Sequence, residues 1–359
     1  MGVPLRRVRS ESGLVLIVVL IIIAVLMIYT VDMLFITQVH YNISDTAVGE
    51  LKSRYVAKSG IHILEGVIKE NDLESVEAAA FDLTGGSGNS YGKWMLELSL
   101  APFENSSIVL RVEDERSKIN LNSLINRHTN TINSRVQKEL RTLFELLDID
   151  SESSELFLAS LINWIDRPLG EITNDQRKTG ARAEFYLGLD RPYNIKDGLM
   201  DSLEELLLVN GMSREFFNKI EPYVTVYPPD MEVNFSTAPK AVLVAVLKGA
   251  GIPTYENPEG VKEDMAAQIA MRIIEYRQED PVVNRNEVRE LIDEFGPELE
   301  IEDALEESVY PSGKSDTFMV TSVGTFEESG MAVTTIEAVL RKSGPISERN
   351  VDIMSWKER

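Results

Sequence analysis

An uninterrupted run of 18 uncharged residues, from Leu14 to Val31, sets the first limit on how this chain can fold. As an α-helix the run is about 27 Å long, close to the hydrocarbon thickness of a bilayer. The sequence therefore predicts one membrane-spanning helix near the N-terminus. Arg6, Arg7 and Arg9 precede the run, and no comparable basic cluster follows it. This asymmetry predicts a cytoplasmic N-terminus, with the rest of the chain beyond the membrane.

The small residues of a secretory cleavage site do not follow the apolar run, because Tyr29 to Met33 occupy that place. A small residue stands before the run instead, at Gly13. This arrangement resembles the type IV prepilin signal that pilins share with type II secretion pseudopilins. The resemblance implies that a prepilin peptidase cuts between Gly13 and Leu14 and that Leu14 is then N-methylated. Residues 1–13 would be the leader, and the span 14–31 would stay on the mature protein. An uncleaved signal anchor is the alternative.

The fifth residue after the implied cut is Val18. Most pilins and pseudopilins carry a glutamate there, which is thought to pair with the N-terminal amine of the neighbouring subunit. A carboxylate in hydrocarbon costs a few kcal/mol unless it is paired, so its replacement by valine is physically easy. In this family the missing glutamate is a trait of the K-type minor pseudopilin, a subunit expected at the tip of a filament.

Composition and residue spacing exclude several functions. The formal charge of −22 disfavours nucleic acid as a partner, because such a surface repels phosphates. The absence of cysteine removes disulfides, thiolate nucleophiles and zinc–cysteine sites. His40, His62 and His128 lie too far apart for metal-ligand spacing. With no hydrolase triad or phosphate-binding loop in the sequence, we predict that the chain is not an enzyme.

The periodicity of apolar residues predicts an α+β fold. Helical spacing continues through residue 70, which predicts one long helix over 14–70. Alternating residues predict strands around residues 94–98 and 108–112, at Phe318 to Gly324 and at Val333 to Leu340. Helical patterns fill the interval between these strands: Ser134 to Leu147, Glu155 to Asp166, Asp201 to Val209, Ser213 to Val224, Pro239 to Lys248, Asp264 to Glu279 and Arg285 to Phe295.

These elements predict a type IV pilin-like fold, a long N-terminal transmembrane helix packed on a small antiparallel sheet, that carries a large inserted all-α domain. We expect the first part of the pilin-like domain at 71–124, the insertion at 125–309 and the C-terminal strands at 310–342. The charged tail, 343–359, is expected to be loose. Insertions of this kind are tolerated where their ends meet at a loop of the host domain.

Several stretches, in order along the chain, resemble the K-type minor pseudopilin of type II secretion systems. They are Val112 to Leu124, Asn163 to Asp166, Gly180 with Ala181, Glu184 to Tyr186, Pro192 with Tyr193, Asp201 to Met212, Ile220 to Val226 and Val233 to Pro239. Asp201 with Glu204 has the pattern of a helix-capping box, and Gly211 can supply a left-handed turn between two helices. This unit also resembles the DNA-binding helix-hairpin-helix, but Arg214 and Lys219 stand among glutamates, which favours a packing role.

An acidic loop follows Asn163 to Asp166. Asp166, Glu171, Asp175 and Glu184 offer oxygen ligands of the kind that calcium takes. K-type pseudopilins have a similar loop that binds calcium, which implies a calcium site here. The match is incomplete, because Arg167 and Pro168 replace two acidic residues of the family. The alternative is a loop neutralised by its own cations, Arg167, Arg177, Lys178 and Arg182.

The resemblance implies a minor pseudopilin at the tip of the type II secretion pseudopilus, which initiates or caps the filament and supports export of folded periplasmic proteins. Its implied partners are the I-type and J-type minor pseudopilins, the pseudopilus shaft, the prepilin peptidase and the membrane. The implied location is the inner membrane, single-pass, with the C-terminal domains in the periplasm. The alternatives are a minor pilin of a type IV pilus and a membrane-anchored periplasmic enzyme.

Overall fold

A single helix dominates the N-terminal part of the molecule. The computed structural model describes residues 12–70, 93–98, 104–166, 180–228, 230, 232–251, 263–280, 282–295, 308–312, 315–327, 331–344 and 349–359. Helix α1, Ser12–Glu70, is unbroken over 59 residues, which corresponds to about 90 Å. The side chains of the apolar run in its lower part are exposed, whereas its upper part lies against a sheet. The long N-terminal helix expected from the sequence is therefore present.

The remaining elements alternate between a sheet and a helical region. In chain order they are β1 (Lys93–Leu98), β2 (Ser106–Asp114), β3 (Ile119–Asn120), β4 (Ile125–Asn126), β5 (Thr131–Ile132), α2 (Ser134–Leu146), α3 (Ser151–Ile165), α4 (Ala183–Leu187), α5 (Arg214–Ile220), β6 (Val224–Thr225), α6 (Lys240–Ala250), α7 (Glu263–Glu279), α8 (Arg285–Asp293), β7 (Thr317–Glu327), β8 (Met331–Ser343) and β9 (Asn350–Glu358). Short 3-10 helices lie at Glu115–Ser117, Leu121–Leu124, Leu203–Leu208 and Glu221–Tyr223.

The main sheet has five antiparallel strands in the order β1-β2-β7-β8-β9. Val56, Ile61 and Leu64 of α1 are buried in one core with Leu110 of β2 and Val320 of β7. These helix residues recur at intervals of three to five, so they form the face of α1 that lies on the sheet. This packing confirms the predicted pilin-like arrangement of helix and sheet.

Two glycines let α1 approach the sheet closely. A Cβ on Gly324 of β7 would lie 2.4 Å from the Ala57 nitrogen and 2.5 Å from the Ser53 carbonyl oxygen of α1. A Cβ on Gly60 of α1 would lie 2.2 Å from Oγ of Ser322. Because these distances are far below van der Waals contact, a larger residue at Gly324 would force the backbones of helix and strand apart, and one at Gly60 would displace the Ser322 side chain.

The helical region has a separate core. Most of its buried residues come from α2, α3, α5, α6, α7 and α8. Phe144, Phe157 and Phe216 form an aromatic cluster at its centre, with ring centroids 5.1 to 6.0 Å apart. This region joins β2 to β7, and the predicted α-helical insertion between two strands is therefore confirmed as part of the fold.

The predicted helix from Asp201 is a 3-10 helix whose cap is shifted by one residue. Glu205 Oε1, and not Glu204, accepts a hydrogen bond from the Ser202 backbone N–H at 3.2 Å. The Asp201 carboxylate is engaged elsewhere, by Lys196 Nζ at 2.7 Å. Gly211 has the predicted left-handed conformation, with φ at 90°, and packs against the backbone of Phe157.

The sequence-based boundaries need two corrections. Residues 115–124, which were expected in the pilin-like domain, belong to the helical region, because Ile119, Leu121 and Leu124 are buried in its core. The expected loose tail, 343–359, is wrong for its described residues, because β8 continues to Ser343 and β9 adds an edge strand to the sheet. The charges of this segment concealed a strand whose hydrogen-bond partners come from β8.

Candidate functional site: the domain junction, the membrane helix and the acidic loop

A buried carboxylate marks the point where the helical insertion leaves the sheet. Asp114, the last residue of β2, is fully buried. Its carboxylate accepts hydrogen bonds from the Arg116 backbone N–H at 2.8 Å, Ser315 Oγ at 2.5 Å, Asn234 Nδ2 at 3.0 Å and Thr237 Oγ1. Burial raises the pKa of Asp114, although these hydrogen bonds act in the opposite direction. The Asp114 side chain therefore links three parts of the insertion: its start at Arg116, its middle at Asn234 and Thr237, and its end at Ser315.

Arg116 adds an ionic link at the same place, with 3% of its surface exposed. Its guanidinium donates to both carboxylate oxygens of Asp230, at 2.7 and 3.1 Å, and to both of Asp316. It also lies 4.1 Å from the ring centroid of Tyr310. Burial acts to lower the pKa of Arg116, but hydrogen bonds with Asp316 and Asp230 outweigh it and raise the pKa. The same contacts lower the pKa of Asp316 against the effect of its burial.

A buried lysine completes this junction cluster, which we define as Asp114, Arg116, Lys118 and their partners. Lys118 Nζ lies 2.6 Å from Glu115 and 3.5 Å from Glu113. Thr225 of β6 donates to the other oxygen of Glu115. Burial acts to lower the pKa of Lys118, but Glu115 and Glu113 raise it. These charged groups are engaged with one another, so the cluster fixes the insertion on the sheet.

The last strand makes a second link between sheet and insertion. Lys357 of β9 forms an ion pair with Glu204 of the insertion, and Arg359 Nη2 lies 3.2 Å from the same carboxylate. The Tyr227 hydroxyl donates to the Asp201 carbonyl oxygen nearby. Sequence patterns could not reveal the link of β9 to Glu204, because it joins residues more than a hundred positions apart.

The processing residues predicted from the sequence lie on the first turns of α1. Gly13, Leu14 and Val18 are exposed, and Val18 retains 48% of its surface accessible. Among the residues that the structure describes, α1 is the one helix whose length and composition would allow it to cross a membrane. This agrees with a single-pass protein and leaves the cleavage position a prediction.

The predicted calcium ligands are only partly described. Asp166 follows α3 and Glu184 lies in the first turn of α4, where it is exposed. Glu171 and Asp175, with Arg167, Pro168, Arg177 and Lys178, lie outside the described residues. Sequence reasoning missed Asp197, whose pKa is raised by burial and by the charge of Asp166. No group of three or more acidic or histidine side chains placed to hold a metal occurs in the part of the chain that the structure describes.

The motifs that flank this loop have packing roles. A Cβ on Gly180 would lie 2.3 Å from the Ala159 carbonyl carbon, so only glycine fits against α3 there. Trp164 stacks edge-on with Tyr186, with ring centroids 5.3 Å apart, and Tyr193 joins the same group. In the hairpin unit Lys219 donates to the Asp148 carbonyl oxygen at 3.4 Å. These contacts explain the motifs as parts of the core.

A groove lies on the insertion, between α6, α7 and the residue Phe295 that follows α8. It has a volume of about 430 Å³ and is lined by Lys240, Ala267, Gln268, Met271, Arg272, Glu275 and Phe295. Arg272 is paired with Glu294 at 2.9 Å. Glu275 is the one carboxylate among the described residues that line the groove.

Comparison with known proteins gives concordant results. Residues 117–229 match the family model described as "Type II secretion system (T2SS), protein K". The chain is 24% identical over 241 residues to type II secretion system protein K of Pseudomonas aeruginosa, covering 67% of this chain and 69% of that protein. It is 23% identical over 237 residues to the protein of the same name from Aeromonas hydrophila, covering 64% and 68%.

A solved structure shares the fold. It is a chain of the GspK-GspI-GspJ complex from the type 2 secretion system of enterotoxigenic Escherichia coli. The TM-score is 0.59 at 16% identity, and the match covers 90% of this chain and 99% of that one. The K-type resemblance found in the sequence and the expected fold class are both confirmed.

Proposed function

We infer that this chain, a relative of protein K of type II secretion systems, works as a minor pseudopilin at the tip of the pseudopilus, where it starts or caps the filament and supports export of folded proteins. Its family match, its fold and its apolar N-terminal helix support the minor-pseudopilin role. Its partners would be I-type and J-type minor pseudopilins, since the solved structural relative belongs to a complex with GspI and GspJ.

The position of the insertion carries the proposal of a tip location. Gly49 of α1 lies beside Ala332 of β8, and Gly60, higher on α1, lies beside Ser322 of β7. The sheet strands therefore run along α1, and β7 begins at the end farther from the membrane. Because β2 ends there too, with Asp114 opposite Phe318, the insertion leaves and rejoins the sheet at that end. Its bulk would stop a further subunit from adding above this one.

Val18 is consistent with the same position. The glutamate that most pilins carry at this place is thought to pair with the N-terminal amine of a neighbouring subunit, so a subunit with no such neighbour does not need it. We further propose cleavage between Gly13 and Leu14. Mass spectrometry of the purified protein is expected to show a mature N-terminus at methylated Leu14. An intact leader would contradict both the cleavage and the count that makes Val18 the fifth residue.

Co-purification tests the main proposal. The full-length chain is co-expressed with the I-type and J-type subunits of the same organism and extracted in detergent. We expect a stable ternary complex in which each subunit is present once. If this chain stays alone under conditions where the I-type and J-type subunits pair, the proposed role is wrong.

Calcium binding by the acidic loop stays a prediction. Asp197 supports it, because a second carboxylate near Asp166 increases the local negative charge that a cation would neutralise. Calorimetry in excess calcium and in chelator is the test, since a ligand that binds the folded state raises the melting temperature. We expect calcium to raise it for the wild type and not for Asp166→Asn. An unchanged melting temperature in the wild type would rule the site out.

A further inference from the structure

The insertion covers part of the rear face of the sheet, by which we mean the face turned away from α1. Ala338 and Leu340 of β8 are buried in the core that the sheet forms with α1. Val339 stands between them, so its side chain points to the rear face. It is 1% exposed, yet it belongs to neither of the two cores formed by the described residues. Some element other than α1 therefore covers it.

Contacts on both sides of Val339 identify the insertion as this cover. Val339 lies on the row of the sheet that runs from Glu113 of β2 to Ser355 of β9. At one end of the row, Lys118 Nζ lies 3.5 Å from Oε2 of Glu113. At the other end, the Tyr227 hydroxyl lies beside the Ser355 side chain. Because Lys118 and Tyr227 both belong to the helical region, that region spans the row and Val339 lies beneath it.

The two attachments of the insertion differ in burial. The junction cluster, at β2 and β7, is centred on buried side chains such as Arg116. The attachment at β9 consists of Glu204, Lys357 and Arg359, whose side chains are 44%, 40% and 55% exposed; we name these three residues the latch. Ion pairs at such exposed positions contribute little to stability. Three strand spacings, about 14 Å, separate β2 from β9, so the weak attachment lies well away from the strong one.

Glu337 gives the two cations of the latch an alternative partner on the sheet itself. It lies directly opposite Lys357 in the pairing of β8 with β9. Its Oε2 atom lies 3.4 Å from Nη2 of Arg359, which is 3.2 Å from Glu204. If Glu204 withdraws, both cations keep a counter-charge and Glu204 becomes hydrated. The closed and open states of the latch therefore differ little in free energy.

We propose that the insertion is a lid on the rear face of the sheet, hinged at the junction cluster and held closed by the latch. The insertion and the sheet have separate cores, so both can stay intact while the lid opens. Opening uncovers Val339 together with Lys357 and Arg359, and another protein can then reach an apolar side chain beside two cations. The lid goes beyond the proposed function and does not depend on it, because it is a property of this chain alone.

Thiol labelling of the full-length chain in detergent tests the lid. The chain contains no cysteine, so one introduced cysteine reports its own exposure. Val339→Cys reports opening, and Leu340→Cys, buried on the opposite face of the same strand, is the matched control. We expect Lys357→Ala with Arg359→Ala to raise the labelling rate of Val339→Cys about threefold and to leave that of Leu340→Cys unchanged. Equal increases would indicate unfolding of β8 and overturn the lid, and no increase would overturn the latch.

Salt and a second ion pair give independent measurements on Val339→Cys. Arg54→Ala removes the pair of Arg54 with Glu358, which is on the same strand but does not involve the insertion, so we expect no change in rate. Salt at about 1 M limits interactions between exposed charges to about 3 Å. It should raise the rate of the chain with an intact latch and not that of the chain with Lys357→Ala and Arg359→Ala. An equal effect of salt on both chains, or an effect of Arg54→Ala as large as that of the double variant, would overturn the latch.

Discussion

Arg116 shows how much of the attachment of the insertion depends on a single side chain. Arg116→Ala would leave Asp230 and Asp316 without their buried counter-charge. We expect the free energy of unfolding to fall by about 3 kcal/mol, as for other broken buried ion pairs. Urea denaturation of the wild type and the variant measures this loss of stability. Arg141→Ala is the control, because its pair with Glu155 is about half exposed and should contribute less than about 1 kcal/mol. Equal losses would contradict a special role for Arg116.

Glu139 makes the stability of the insertion depend on pH, and the sign of this dependence follows from its pKa. This residue of α2 is 2% exposed, and burial raises its pKa from 4.5 to about 8, against the opposing effect of Arg135. The folded state therefore keeps a proton that the unfolded chain releases, and stability falls as the pH rises between those two values. We expect Glu139→Gln to raise the melting temperature at pH 8 more than at pH 5. The same increment at both pH values would show that Glu139 does not titrate in this range.

At the scale of the elements, the contact of α1 with the sheet depends on glycine. Gly60→Ala would bring a methyl group within 2.7 Å of Cδ2 of Leu110 and still closer to Ser322. We expect a loss of about 1 to 3 kcal/mol of unfolding free energy. Gly66→Ala, six residues farther along α1, meets no atom of the described residues within 4 Å and should gain about 0.5 to 1 kcal/mol. Thermal denaturation of the two variants measures both changes in stability. If the two changes had the same sign, the close approach of α1 to the sheet at Gly60 would be contradicted.

Strand β9 is expected to stabilise both parts of the molecule. A chain that ends at Gly344 would lack β9 and the ion pairs of Lys357 and Arg359 with Glu204. We expect the melting temperature of this truncated chain to fall by several degrees. The double variant Lys357→Ala and Arg359→Ala keeps the strand and removes only exposed ion pairs, so it should lose less than about 1 kcal/mol. An unchanged melting temperature on truncation would mean that β9 adds nothing to the fold.

Periodicity predicted some elements well and others not at all. Strands β7 and β8 alternate more buried with less buried residues along much of their length, so their pattern is visible in the sequence. Strand β9 was missed because its apolar residues, such as Val351 and Trp356, stand among charges and its pairing is supplied by β8. An edge strand needs no complete apolar face of its own.

At the scale of the whole molecule, the insertion and the pilin-like part are expected to be separable. Asp114 of β2 lies opposite Phe318 of β7, so residues 115–317 can be replaced by Asn-Gly, which favours a two-residue hairpin. We expect the shortened protein to keep α1 and the sheet, to unfold cooperatively and still to bind the partner subunits. Circular dichroism and co-purification with the I-type and J-type subunits measure this. A shortened chain without a cooperative transition would show that the sheet needs the insertion.

The junction cluster was beyond prediction from the sequence. The stretch from Glu113 to Lys118 has the composition of a solvated loop, yet Arg116 and Lys118 are buried, and the partners of Arg116 arrive more than a hundred residues later. The overall architecture was predictable, because the membrane span, the alternating strands and the helical interval each leave a local pattern. The predicted cleavage and calcium residues remain predictions, since they depend on a peptidase and on a cation.

The pairing of β2 with β7 also determines the order in which parts of the chain can fold during synthesis. As the chain emerges beyond the membrane, α1 and β2 appear first, and the strand that completes the sheet beside β2 arrives some two hundred residues later. The insertion is complete before β7, β8 and β9 are available, so it can fold while the sheet that carries it is still open. The surface formed by sheet and helix together comes into existence only with the last strand. A chain cut short during synthesis would thus lack the finished sheet.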